Sequence, residues 1–256
     1  MNGAASRKRA LQFAIGTAGL AIIWQIASLF FPDYLFPSIP QIARRFLDIA
    51  TTWSTQVDVL TTAGRILAGL AGAFICGVLL ALVLNKSASL EAYLTPILIL
   101  LQGIPALSWV IIAIIWFHGT EFRIFFIMLV TTLPAFTFQI LDAVRSMSKD
   151  LFEMTVAFRP TRWTMFRVLV IPTVVPGILT AWKVNLGNAS RVVVVAELVG
   201  ATGGVGYELL RQQQLFDMTG ALAWTLQLVV FVLIFQGILT AVEQWALRWR
   251  PRSERA

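Results

Sequence analysis

The chain has 256 residues, 58% of them apolar and only 13% charged, with a mean hydropathy of +0.79. These values exclude an ordinary soluble domain, where about a quarter of residues are charged, and mark an integral membrane protein. The net charge of +7 would suit nucleic acid in a soluble chain; in a membrane protein basic residues sort by side of the bilayer, and no nucleic-acid partner is expected.

A helix crosses the roughly 30 Å hydrocarbon layer with about 20 mostly apolar residues. Several stretches reach that length, so residues 1–256 are read as one all-α membrane domain with six transmembrane helices and no separate soluble part. Arg7, Lys8 and Arg9 precede an apolar run over residues 11–31, too long for a signal-peptide core, which predicts an uncleaved first span with its N-terminus inside. Residues 32–58 turn mixed, and Ile42, Phe46 and Ile49 or Ala50 recur at helical spacing, predicting a short amphipathic helix outside. The second span, 60–84, is studded with Gly64, Ala68, Gly69, Gly72, Ala73 and Gly77, small residues that let neighbouring helices approach.

The third span, 90–117, is interrupted by Gln102, Gly103, Ile104 and Pro105. Glycine with proline weakens a helix, and the freed backbone groups are tolerated at membrane depth only where protein or a cavity receives them, so the break is expected to face inward. A fourth span covers 124–144; the polar interval 149–172 follows; a fifth span, 176–199, contains Lys183, Asn185, Asn188, Arg191 and Glu197; a glycine-containing excursion over 200–220 leads to a sixth span, 221–247, and a basic tail. This topology places 13 lysines and arginines inside, including Arg145, Arg250, Arg252 and Arg255, and 5 outside, namely Arg44, Arg45, Arg65, Arg123 and Arg211. The bias supports cytoplasmic termini. No short repeat and no low-complexity tract interrupts the pattern.

In the polar interval Leu151, Met154 and Phe158 share one helical face, Arg159 and Pro160 interrupt it, and Trp163, Phe166 and Val170 form a second apolar stripe ending at Pro172. Periodicity alone fits an amphipathic connector lying on the membrane surface. The spacing, however, resembles the cytoplasmic loop of permease subunits of bacterial ABC importers, whose pattern is EAAxxxG, nine residues, then IxLP: Glu153 begins it, Arg159 stands at the glycine, and Leu169, Ile171 and Pro172 stand at the IxLP positions. Met154 and Thr155 replace the paired alanines, and Pro160 offers another route to the turn that the missing glycine would serve.

The resemblance extends over nearly the whole chain and is closest to the nitrate, sulfonate and taurine branch, through the series from Pro105 to Trp116, Phe117 and Gly119, through Glu197, and through Gly203, Gly204, Val205, Gly206 and Tyr207. It implies a type I importer bundle in the bacterial inner membrane, built from two permease copies. The loop, with Glu153, Met154, Phe158, Arg159, Pro160, Trp163, Phe166 and Pro172, would dock on cytoplasmic ATP-binding subunits, and an external solute-binding protein would deliver cargo. No GxxxxGK[ST] phosphate-binding loop occurs, so ATP and magnesium are expected on the partner ATPase and no cofactor or metal in this chain.

Lysine or arginine at mid-bilayer costs about 2.5 to 3.5 kcal/mol on insertion scales, so Lys183 and Arg191 are expected to face a cavity or counter-charges. With Asn188 on the same helix and Gln102, Gly103, Pro105 and Ser108 at the broken span, they are read as lining a route that favours a small anionic solute. A structural role between helices, or snorkelling to an interface, is the alternative. Lone Cys76 reads as a packed thiol and lone His118 as an interfacial side chain. An ion-gradient-driven secondary transporter would show internal repeats and acidic relays, whereas only Glu197 is a candidate here; an intramembrane enzyme would need a paired nucleophile and base that the chain lacks.

Overall fold

The computed structural model describes residues 3–248. The expectations for Arg250, Arg252 and Arg255 lie outside the described residues, as do the side chains of Arg7, Lys8 and Arg9. Eleven helices follow in order: α1 (Gly3–Ala27), α2 (Ile39–Thr51), α3 (Trp53–Lys86), α4 (Ala88–Gly103), α5 (Ala106–Trp116), α6 (Thr120–Arg145), α7 (Lys149–Ala157), α8 (Arg162–Met165), α9 (Ile171–Gly200), α10 (Val205–Gln214) and α11 (Met218–Ala246), with one π-helical turn, Phe166–Val170, joining α8 to α9.

The amphipathic helix expected after the first apolar run is α2. Ser38 caps it, its backbone N–H donating to Gln41 Oε1 at 2.8 Å. Ile49 turns inward onto Val59, Val205, Ala223 and Trp224, with Phe46 packed alongside. The α1–α2 turn is closed by the Trp24 indole, which donates to the Pro37 carbonyl at 3.0 Å and lies against Phe36.

The core is where α3, α6 and α9 cross. Ile66, Leu70 and Ala73 from α3, Met128 and Phe136 from α6, and Leu186, Ala189 and Val193 from α9 are fully buried there, joined by Val110 and Ala113 of α5. The small residues of α3 act as their sequence predicts, although not all alike. A Cβ placed on Gly77 would lie 2.9 Å from Phe136 Cβ, so the backbones meet there, whereas Gly64 faces open space.

The expected third span is broken where its sequence predicts: α4 and α5 meet at a 96° bend, and at about 1.5 Å per residue neither alone reaches across about 30 Å of hydrocarbon, so the pair forms either one broken span or a re-entrant loop. Pro105 cannot donate a backbone hydrogen bond, and Ser108 N donates back to its carbonyl at 3.0 Å to start α5 in the new direction. By length and composition, four helices among the described residues qualify as crossings, Trp53–Lys86, Thr120–Arg145, Arg162–Gly200 and Met218–Ala246, or five if the bent pair is one span.

Glycines 77 and 64 give a matched test of this packing. Gly77→Ala presses a methyl onto Phe136 and is expected to destabilise by about 1–3 kcal/mol, while Gly64→Ala, with room around it, is expected to be neutral or to stabilise by up to about 1 kcal/mol. Thermal unfolding of the detergent-solubilised variants checks the ordering; equal melting temperatures would contradict the close α3–α6 approach.

Candidate functional site

At one end of the bundle sits a buried carboxylate. Glu197, on the last turn of α9, is shielded completely, and every lone-pair direction used has a donor: Arg65 Nη1 at 2.7 Å, the Thr62 hydroxyl at 2.9 Å, and the backbone N–H of Gly206 at 2.8 Å. Arg65 also donates to the Gly203 carbonyl at 2.7 Å and forks onto the exposed Glu121 at the start of α6. Asp58 accepts from Gly204 N, and Thr62 Oγ1 from Val205 N, both at 2.8 Å. The first turn of α10 is thus capped by side chains of α3 and α9. Gly204 has φ +111°, and a Cβ there would fall 2.5 Å from Glu197 Oε1, so the glycine is required by both conformation and space.

Midway along the bundle, the 96° bend opens a cavity of about 450 Å³ between the break, α6 and α9. Gln102, Gly103, Pro105 and Asn188, four residues expected on a route, line it. So do Gln139 and Asn185. Asn185 Nδ2 donates to Gln139 Oε1 at 2.7 Å and to the Ala181 carbonyl at 2.9 Å. The break therefore does face protein and a cavity.

The other expected route residues lie elsewhere. Ser108 is in the first turn of α5, half-buried and off the cavity wall. Lys183 pairs with Glu243 of α11 and does not line the cavity; its charge is neutralised by a partner 60 residues away in sequence. Arg191 is exposed on α9, one turn from Asn188, with neither hydrogen bond nor ion pair among the described residues.

At the opposite end of the bundle from Glu197, Arg145 grips Glu91 with two hydrogen bonds of 2.7 and 2.6 Å, tying the end of α6 to the start of α4. Beyond it projects the loop. Helix α7 is capped by Ser148 and buries none of its residues; Thr161 caps α8. Between them Arg159 adopts φ +49°, the left-handed conformation that a glycine would take freely. The turn is kept and Arg159 is strained into it. Glu153 is exposed, as are Met154, Phe158, Trp163 and Phe166, with Phe158 80% and Trp163 68% accessible. Pro172 has no N–H for the Val168 carbonyl, and Ile171 N instead reaches back five residues to Phe166 O, which creates the π turn.

Sequence reasoning missed Arg65 and Thr62 as partners of Glu197, Asp58 as the acceptor for Gly204 N, and Gln139, Asn185 and Glu243. Arg65 looks like one more surface cation; the only signal for the knot was a lone acidic residue followed by Gly203, Gly204 and Gly206. The amide pair, 46 residues apart, leaves no local trace.

Two substitutions test these assignments. Glu197→Gln removes one partner of a buried ion pair and is expected to destabilise by about 3–5 kcal/mol, whereas Glu121→Gln, at an exposed site, should stay within about 1 kcal/mol; the melting temperatures of both decide. Arg159→Gly relieves a left-handed residue and is expected to stabilise the loop by up to about 1–2 kcal/mol, read as slower proteolysis between α7 and α8.

Residues 73–248 match the family described as binding-protein-dependent transport system inner membrane component. The formylaminopyrimidine transport permease protein of Halalkalibacterium halodurans is 28% identical over 240 residues, covering 91% of this chain and 93% of that protein. The taurine transport system permease protein of Escherichia coli K12 is 25% identical over 253 residues, covering 94% and 90%. The fold is that of a chain in the crystal structure of a bacterial alginate ABC transporter in complex with an alginate pentasaccharide-bound periplasmic protein, with a TM-score of 0.58 at 17% identity over 90% of this chain and 93% of that one. This chain belongs to the family of binding-protein-dependent inner-membrane transport components and is a non-catalytic permease subunit of an ABC importer.

Proposed function

We propose that two copies of this chain form a solute route through the bacterial inner membrane, with both termini cytoplasmic, and that the loop from α7 to Pro172 is the docking point for a separate ATPase that binds ATP and magnesium. The observation that supports this most directly is the loop itself: α7 projects past the Glu91–Arg145 pair with Phe158 and Trp163 exposed and no α7 residue buried in this chain. Large aromatic side chains held in water invite a partner. Glu153 lies midway along α7, and Arg159 and Pro160 set the angle between α7 and α8. A binding protein at the Glu197 end delivers the solute, and closure of the ATPases shifts the two bundles between access states.

The cavity under the α4–α5 bend, with Gln102, Gly103, Pro105 and Asn188, is proposed as part of the route, with Ser108 and Arg191 along its approaches. The preference for an anion rests on Arg191 alone once Glu243 neutralises Lys183. The cargo is a small polar solute of the range for which relatives are named, from formylaminopyrimidine to taurine. An ion-gradient-driven mechanism has no support in Glu197, which is fully engaged by Arg65, Thr62 and Gly206 and lies off the cavity.

Phe158→Ala and Trp163→Ala are expected to weaken ATPase binding at least about tenfold each, the loss of about 1.4 kcal/mol or more usual for an aromatic anchor, without lowering the melting temperature of the isolated chain. Co-elution with the ATPase on size exclusion measures it. Undiminished co-elution of the double variant would sink the docking assignment.

A further inference from the structure

We infer that the cavity beneath the α4–α5 bend is a solute site that reads a hydrogen-bond donor and acceptor set side by side, as on an aminopyrimidine, lactam or ureide edge, and discriminates against anions that only accept. The inference rests on the reading of this cavity as part of the solute route. Its basis is the orientation of two carboxamides.

Asn185 has two amide hydrogens, and both are used. One goes to the Ala181 carbonyl at 2.9 Å and the other to Gln139 Oε1 at 2.7 Å. A backbone carbonyl can only accept, so Asn185 must present its nitrogen to Ala181, and Gln139 must in turn present its oxygen to Asn185. Neither amide can be reversed without setting oxygen against oxygen. What remains of the pair is therefore assigned: Gln139 Nε2 is left as a donor and Asn185 Oδ1 as an acceptor, on two residues that both line the cavity.

The rest of the wall fits the same chemistry. Thr131 directs its hydroxyl hydrogen to the Ile127 carbonyl at 2.8 Å, which leaves oxygen lone pairs on that side chain. Gln102 and Asn188 have no hydrogen bonds within the described chain, and each offers one acceptor and two donors. No side chain that ionises lines the cavity. At about 450 Å³ it falls within the range of small-molecule sites, which is about 300–1,000 Å³. A sulfonate or nitrate entering it would find N–H donors on Gln139, Gln102 and Asn188 but would leave Asn185 Oδ1 and the Thr131 oxygen without a donor and facing its own lone pairs, with no cation on the wall to offset that repulsion. A flat solute with an N–H beside a ring nitrogen or carbonyl satisfies both members of the pair at once. Sites built to hydrogen-bond a solute reject analogues that leave their polar groups unpaired more strongly than apolar pockets reject a change in size.

Ligand-observed NMR on the detergent-solubilised chain, alone and in complex with its ATPase, with no binding protein present, separates the alternatives. The probes are cytosine, which sets an amine donor beside a ring-nitrogen acceptor, and methanesulfonate, which accepts only, each at millimolar concentration. Cytosine is expected to bind at least about tenfold more tightly, a difference of about 1.4 kcal/mol. Gln139→Met removes the donor and is expected to weaken cytosine about tenfold or more; Gln139→Glu keeps the acceptor that Asn185 needs while removing the donor, and serves should methionine unsettle the fold. Equal or tighter binding of methanesulfonate, no binding of cytosine, or unchanged cytosine binding in both variants overturns the inference. An ATPase that fails to co-elute while cytosine still binds the chain counts against the docking assignment and in favour of the cavity chemistry.

Discussion

The structure depends on keeping a carboxylate charged where water cannot reach it. Isolated, Glu197 would be prohibitively costly in a low-dielectric interior; surrounded by Arg65, Thr62 and the Gly206 N–H, it becomes the point at which three helices are fastened. A buried ion pair of this kind is weak evidence for net stability, since well-packed apolar residues would often do as well. Its effect here is positional. Arg65 reaches the Gly203 carbonyl and Glu121 as well as Glu197, so the connection after α9 and the start of α6 are registered to one side chain of α3. Any displacement of α10 relative to the bundle has to break or carry these bonds.

A bundle fastened at that end and by Glu91–Arg145 at the other leaves its middle free to be polar. Between the two clamps α3 and α6 close on each other through glycine, and aromatic rings of Phe74, Phe136 and Trp182 fill the space toward α9. On the other side of α6 and α9, the bend at Pro105 draws α4 and α5 apart, and carboxamides occupy the opening. The same pair of helices thus presents a dry face to α3 and a wet face to the break. A close-packed core and a solute-sized cavity coexist because the bend supplies the missing wall.

Much of this was legible from residue order. The apolar runs, the α2 amphipathic face through Ile42, Phe46 and Ile49, the break at Gln102–Pro105 and the helix–turn–helix at Arg159–Pro160 all follow from local chemistry, which a sequence displays directly. What was not legible is pairwise and distant. Lys183 and Glu243 are both visible as charges, but nothing along the chain says that α9 and α11 bring them together; the same is true of Gln139 with Asn185. The bend angle was hidden for another reason: glycine and proline permit a kink, and packing selects its size. Arg159 shows the converse, since register predicted a glycine-like position and the backbone there is left-handed although the residue is arginine.

The π turn at Phe166–Val170 has a mechanical meaning. A π turn accommodates one residue more than an α-helical turn, and each helical residue corresponds to about 100° of rotation. The loop is therefore geared to α9 by chain length as well as by side-chain contact: reabsorbing that extra residue into α-helical register would twist α7 and α8 around the α9 axis by about a quarter turn, while α9 itself, pinned at Glu197, stayed in place. Pro172 holds the extra residue in the turn, so the angular setting of the entire projection is stored in a single missing N–H.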